Sequence, residues 1–253
     1  RKNEWSCIKY NCEHSIFKSI GYTLRNVYAR WTKAYLRNVD MFACITEFQK
    51  KKLIETGYDK NKITVIPNSI DAPCSYTPTS GEYIAYIGRL SYEKGYDLLV
   101  EVARKHPEIK FRFAGAQREQ KNTDIPSNVE FAGYLQKDKL LEFIQKARFI
   151  VIPSRCYEGF PMAILEAACH GKPAIASNHG GFTEIIGQGE NAIGKLFEPS
   201  NTDDLDKQIA ELWNNQTLTE ELGEKAFRKL KKHYDSEVVY KQWETLFSKL
   251  KNS

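Results

Sequence analysis

Between residues 82 and 197, short apolar runs alternate with amphipathic segments. In order they are YIAYIG, GYDLLVEVARKH, KFRFAG, NVEFAG, KDKLLEFIQKA, FIVIPS, PMAILEAACHG, PAIAS, GFTEIIG and NAIGKLF. Runs rich in β-branched and aromatic residues read as strands, and segments with apolar residues at three- and four-residue steps read as helices. Several strands are apolar on both faces, which suits a sheet covered on both sides. The alternation therefore predicts an α/β fold built on a Rossmann-like doubly wound parallel sheet.

The rest of the chain and its composition narrow the class further. With 253 residues, 42% of them hydrophobic and 27% charged, the chain is long enough for a sizeable core and too apolar for a disordered one. The longest charge-free apolar stretches, Phe149 to Pro153 and Phe160 to Leu165, fall far short of the roughly 20 residues that a membrane crossing requires. The 37 basic against 32 acidic side chains leave a formal charge of +5, suited to an anionic partner such as a nucleotide or lipid phosphate and too mild to argue nucleic acid. Six cysteines without framework spacing, and no secretory signal, lead us to expect reduced thiols and a cytoplasmic location, with peripheral contact at the inner face of the membrane an added possibility. Residue 1 is Arg and the first Met is Met41, so a piece of a longer protein is expected.

Four regions are expected: 1–66, a linker at 67–81, a nucleotide-binding domain at 82–235 and a terminal helix within 236–253. The linker rests on Pro67, Pro73 and Pro78 with Asp71 as the single charge. From Ile20 to Val39, Leu24, Val27, Tyr28, Trp31, Tyr35 and Leu36 recur on one helical face, while Arg30, Lys33 and Arg37 share another. That helix reads either as part of a domain with solvated charges or as a contact for anionic headgroups. MFACIT and KITVIP read as strands flanking a helix from Glu47 to Thr56, and residues 201–251 read as helices only, with Trp243 and Phe247 on one face of the last.

Ligands of open α/β sheets sit beyond the carboxyl ends of the strands, so the residues after each strand matter most. After YIAYIG come Gly88, Arg89 and Lys94 ahead of a helix, a combination that suits a phosphate, although no P-loop sequence is present. After FIVIPS comes SRCYEGFPMAILEAACHGKP, in which Pro161 suits the first turn of a helix. Glu158 and Gly159 precede it, and Glu166 lies five residues into it. Amides near Gly159, Phe160 and Met162 favour an anion, while carboxylates favour neutral hydroxyls. A ligand carrying both phosphates and sugar-type hydroxyls satisfies both. Taken singly, Glu158 and Glu166 also read as ordinary surface charges. Gly180 and Gly181 form a third strand-end loop. Cys7, Cys12 and His14 are too few for a zinc site, and Asp204 with Asp206 lies in a helical surface run, so no metal ligands are assigned.

Together, TEFQKKKLIETGYDKNKITVIPNSID, YIGRLSYEKGYDLL, NVEFAGYL, SRCYEGFPMAILEAACHGKPAIAS and GGFTEII resemble the family 4 glycosyltransferases of GT-B architecture, from about Val39 to the C-terminus. The resemblance implies a retaining transferase that moves a sugar from a UDP-, GDP- or ADP-sugar to a saccharide or lipid-linked acceptor, with no cofactor or essential metal. It places Gly88, Arg89 and Lys94 on the donor diphosphate, and Glu158, Gly159 and Phe160 on the sugar, beside Pro161 and Met162. Glu166 falls on the ribose and Tyr134 and Leu135, after Gly133, near the base, while Glu184 follows the glycine pair without a firm role. The expected domain is the C-terminal, donor-binding one, with residues 1–66 a remnant of the acceptor domain. Alone, such a fragment would bind donor, transfer little and self-associate through its last helix. Two other readings stay open. One is a non-catalytic nucleotide-sugar module, and the other is a glycoside hydrolase using Glu158 and Glu166 across one bond.

Overall fold

The computed structural model describes residues 5–9, 11, 15–117 and 124–251. Two compact units form, one from residues 1–43 and 52–64 and the other from residues 44–51 and 65–253. The first contains α1 (Ser6–Lys9), α2 (Ile16–Trp31) and α3 (Ala34–Asn38). The continuous helix expected from Ile20 to Val39 is interrupted. Thr32 Oγ1 donates back to Tyr28 O at 2.8 Å, and Lys33 turns left-handed at φ 51°, a conformation that cannot continue an α-helix. The face named from spacing is also not a buried one: Leu24, Tyr28 and Trp31 are exposed, and Ser19 and Thr23 are the buried residues of α2. Cys12 and His14 lie outside the described residues. Next come β1 (Phe42–Cys44), α4 (Glu47–Glu55) and β2 (Ile63–Val65), with β1 and β2 paired as a two-stranded sheet.

In the second unit, residues 67–81 contain no helix or strand. They are tied down locally. Ile70 N–H donates to Tyr234 O at 3.0 Å, and the buried Lys172 ammonium donates to Thr79 O at 2.9 Å and Thr79 Oγ1 at 2.6 Å. Beyond them run β3 (Tyr83–Ile87), α5 (Tyr96–Lys105), β4 (Phe111–Ala114), β5 (Val129–Gly133), α6 (Asp138–Gln145), β6 (Ala147–Ile152), α7 (Met162–Ala168), β7 (Ala174–Ser177), α8 (Gly181–Ile186) and β8 (Gly194–Phe197). Three helices close the chain: α9 (Thr202–Asn214), α10 (Gln216–His233) and α11 (Ser236–Lys251).

The six strands pair in parallel in the order β5-β4-β3-β6-β7-β8. Residue alternation explains why helices cover both faces. Along β3, Tyr83 and Ala85 join one apolar cluster while Ile84 and Tyr86 join the other; along β6, Ile150 and Ile152 part from Phe149 and Val151 in the same way. Ile164 and Leu165 of α7 and Phe182 and Ile185 of α8 fill the first cluster, and Leu98, Leu99, Leu205 and Ile209 from α5 and α9 fill the second. Each fully buried side chain of this size contributes about 1.5–3 kcal/mol. Caps set the helix starts at the end of the chain: Asn201 accepts from Asp203 and Asp204 N–H, and Asn215 from Leu218 N–H. Strand order reverses between β3 and β6, and it is there that the carboxyl ends part to leave a crevice.

Candidate functional site

The loop after β3 is shaped by close backbone approach. Tyr86, buried and stacked on Phe113, donates its hydroxyl to Arg89 O at 2.7 Å, while Gly88 N–H pairs with Ala114 O at 3.0 Å. A Cβ on Gly115 would stand 1.7 Å from Gly88 O, so the loops after β3 and β4 approach only because that position has no side chain. Past Arg89 a short 310 turn, Tyr92–Lys94, ends on Gly95 at φ 70°, where a Cβ would meet Pro153 O at 1.8 Å.

That 310 turn is gripped by the loop after β6. Glu93 O accepts from Arg155 N–H at 2.9 Å and from Ser154 Oγ at 3.3 Å. The Arg155 guanidinium forks onto Asp97 at 2.6 and 2.8 Å, donates to Tyr92 O at 2.7 Å and lies over the Tyr92 ring, 4.1 Å from its centroid. So held, Lys94 donates its ammonium to Glu158 Oε1, which also accepts from Ser154 Oγ at 3.2 Å. The third loop closes on the same segment, with Gly181 N–H donating to Glu158 O at 3.0 Å.

Beside this pair lies a cavity of about 580 Å³, open at the carboxyl ends of β3, β4 and β5. It brings together Gly88, Arg89, Tyr134, Leu135, Met162 and Glu166. Burial lifts the Glu166 carboxyl above the usual carboxylate range. Arg89 reaches Glu93 at 3.6 Å and is partly exposed, available to an anion. A cation and a half-buried carboxylate in the lining of one hollow fit a ligand that carries both an anionic group and hydroxyls.

Residues 75–229 match the family model described as glycosyl transferases group 1. The chain belongs to that family. Residues 12–72 of this group 1 glycosyl transferase match a second model, glycosyltransferase family 4. An uncharacterized glycosyltransferase of Methanocaldococcus jannaschii is 33% identical over 193 residues, covering 74% of this chain and 53% of the relative. The mannosylfructose-phosphate synthase of Agrobacterium fabrum is 29% identical over 203 residues, covering 67% of this chain and 44% of the synthase. The chain thus spans about half the length of the first relative and less of the second. Among solved structures, Anabaena HepE in complex with UDP and glucose superposes with TM-score 0.77 at 18% identity over 90% of this chain and 67% of that one. Sucrose-phosphate synthase from Thermosynechococcus elongatus gives 0.73 at 22% identity, over 87% and 60%. These likenesses carry the GT-B fold.

Not every residue expected at the site of this transferase lines the cavity. Lys94 and Glu158 are engaged with each other beside it, so Lys94 and Glu166 do not face one hollow directly. Glu158 is likewise not in the lining of the cavity that holds Glu166. Phe160 and Pro161 are buried, Phe160 with its ring 5.6 Å from that of Tyr234, while Gly159 approaches the Gln49 side chain. Pro161 precedes the helix as its cap, at ψ 97°, and the first helical residue is Met162. Glu184 accepts from Phe48 N–H at 3.3 Å, which ties it to the start of α4. Asp204 accepts from Glu198 N–H at 2.7 Å, and Asp206 pairs with His106 at 2.6 Å and Lys105 at 3.3 Å, a structural use of that D-x-D. Sequence reasoning missed Ser154, Arg155 and Asp97. The adjacency of Ser154 and Arg155 to the E-G-F segment was a usable signal, but Asp97 was concealed 58 residues from its partner. Gln136 and Lys137, also in the lining, carried no pattern at all.

Proposed function

We propose that this chain is the donor-binding part of a retaining glycosyltransferase that uses a UDP-, GDP- or ADP-sugar and needs no metal ion. The observation that carries the reading is the cavity at the carboxyl ends of β3, β4 and β5, which Arg89 and Glu166 line together with the start of α7, while Lys94 is held by Glu158. The diphosphate lies against Arg89 and Lys94, the ribose hydroxyls on Glu166 and the base toward Tyr134 and Leu135. Binding opens the pair: Lys94 turns to the phosphate, and Glu158, released, accepts from sugar hydroxyls. As the anomeric carbon–oxygen bond breaks, charge gathers on the diphosphate and the two cations stabilise it. The anomeric carbon then bonds to the acceptor oxygen on the same face, and the acceptor proton leaves with the diphosphate.

HepE was solved with UDP and glucose, and one relative is a mannosylfructose-phosphate synthase; both support a nucleotide-sugar donor. Two further relatives are proteins of cps regions in Klebsiella pneumoniae, which favours a saccharide or lipid-linked acceptor. Since the chain spans 53% of the Methanocaldococcus relative, we assign transfer to a protein of that length and donor binding to this chain. Calorimetry against a panel of UDP-, GDP- and ADP-sugars, with and without EDTA, is the test. One member should bind with unchanged affinity in EDTA. Binding of none would reject the donor reading, and binding abolished by EDTA would reject the metal-free one.

A further inference from the structure

The second half of α10 carries Lys225, Arg228, Lys229, Lys232 and His233 at steps of three and four residues, and all five line one hollow of about 370 Å³. Glu190 and Asn191 of the 310 turn Gly189–Asn191 and Ile193 complete the lining, in which Glu190 is the one acidic residue. A solvated helix face ordinarily interleaves its charges, since like charges four residues apart repel. Here Lys225 and Lys229, and again Arg228 and Lys232, repeat the same sign at that spacing. The helix dipole accounts for cations only in the last turn, where Lys231, Lys232 and His233 lie; Lys225, Arg228 and Lys229 are further in. Neutralisation within the protein is incomplete. Arg228 reaches Glu224, and Lys229 donates to Ile185 O at 2.7 Å, but among the described residues neither Lys225 nor Lys232 has an ion pair. The fields overlap: besides burial, Lys232 and Lys229 hold the His233 imidazole below its ordinary value. The hollow shares no lining residue with the donor cavity.

We infer that this hollow is a second anion site, built for a phosphate group carried either by a small soluble molecule or by a lipid headgroup. The probes are inorganic pyrophosphate, by calorimetry, and vesicles of phosphatidylglycerol in phosphatidylcholine, by sedimentation. Both are run in an Arg89→Ala/Lys94→Ala background so that the donor cavity adds no signal. Lys225→Gln/Lys232→Gln should weaken binding at least tenfold with unchanged melting temperature, since both side chains are exposed. Loss confined to pyrophosphate assigns a soluble phosphate, and loss confined to vesicles a headgroup; either supports the site. The control Lys51→Gln/Lys207→Gln removes the same charge from exposed positions elsewhere. An equal loss in that control, or binding of neither probe, overturns the inference.

Discussion

At the scale of single residues, Lys94, Glu166 and Lys172 each hold a charge where solvent is scarce, with different consequences. In a complete enzyme, Lys94→Ala should lower turnover roughly 10²- to 10³-fold, as losing one preorganised donor to a developing charge does, measured by steady-state kinetics. Unchanged turnover would count against the diphosphate assignment. Glu166→Gln should raise the melting temperature of the free protein, because burial disfavours its carboxylate, yet weaken donor binding by about 1.5–3 kcal/mol. Lys172 titrates at about 8, pushed down by burial from an ordinary 10.5. Between those values the unfolded chain binds the extra proton, so this group makes stability rise with pH by on the order of 3 kcal/mol. Denaturant titrations from pH 7 to 10.5 should show that component vanish in Lys172→Met. Arg89, Lys94, Glu158 and Glu166 could be named as candidates from their places after the strands and from the family motifs. The Lys94–Glu158 contact could not, since 64 residues separate partners that meet only once β3 and β6 lie side by side.

At the scale of elements, the loop after β6 fixes the turn after β3, and Arg155 is the link between them. Its fork onto Asp97 and its stacking on Tyr92 require a planar guanidinium, which an ammonium cannot supply. Arg155→Lys should therefore cost about 1–2 kcal/mol of stability and lower donor affinity about tenfold, with calorimetry and thermal melts as the readouts. Equal affinity in the variant would show that Lys94 is positioned without it. The strands and helices from residue 82 onward were readable because apolar period and turn residues act locally. The break at Lys33 and the exposed face of α2 were not, because spacing reveals amphipathicity without saying what an apolar face meets.

For the molecule as a whole, a ligand that binds only the folded state stabilises it by an amount that grows with the logarithm of its concentration. The donor that binds should add about 2.7 kcal/mol at one hundred times its Kd, seen as a shift in melting temperature that grows with concentration; a nucleotide that leaves the melt unmoved is not the donor. What the sequence determined by itself is the doubly wound sheet and the family motifs, because hydrophobic alternation and glycine placement are properties of neighbouring residues. Only the tertiary structure decided which strand-end loops touch. Parallel pairing in the order β5-β4-β3-β6-β7-β8 places Arg89 and Glu166 around one cavity and sets Glu158 against Lys94 outside it. Such proximity follows from how the sheet is wound, and no local pattern encodes it.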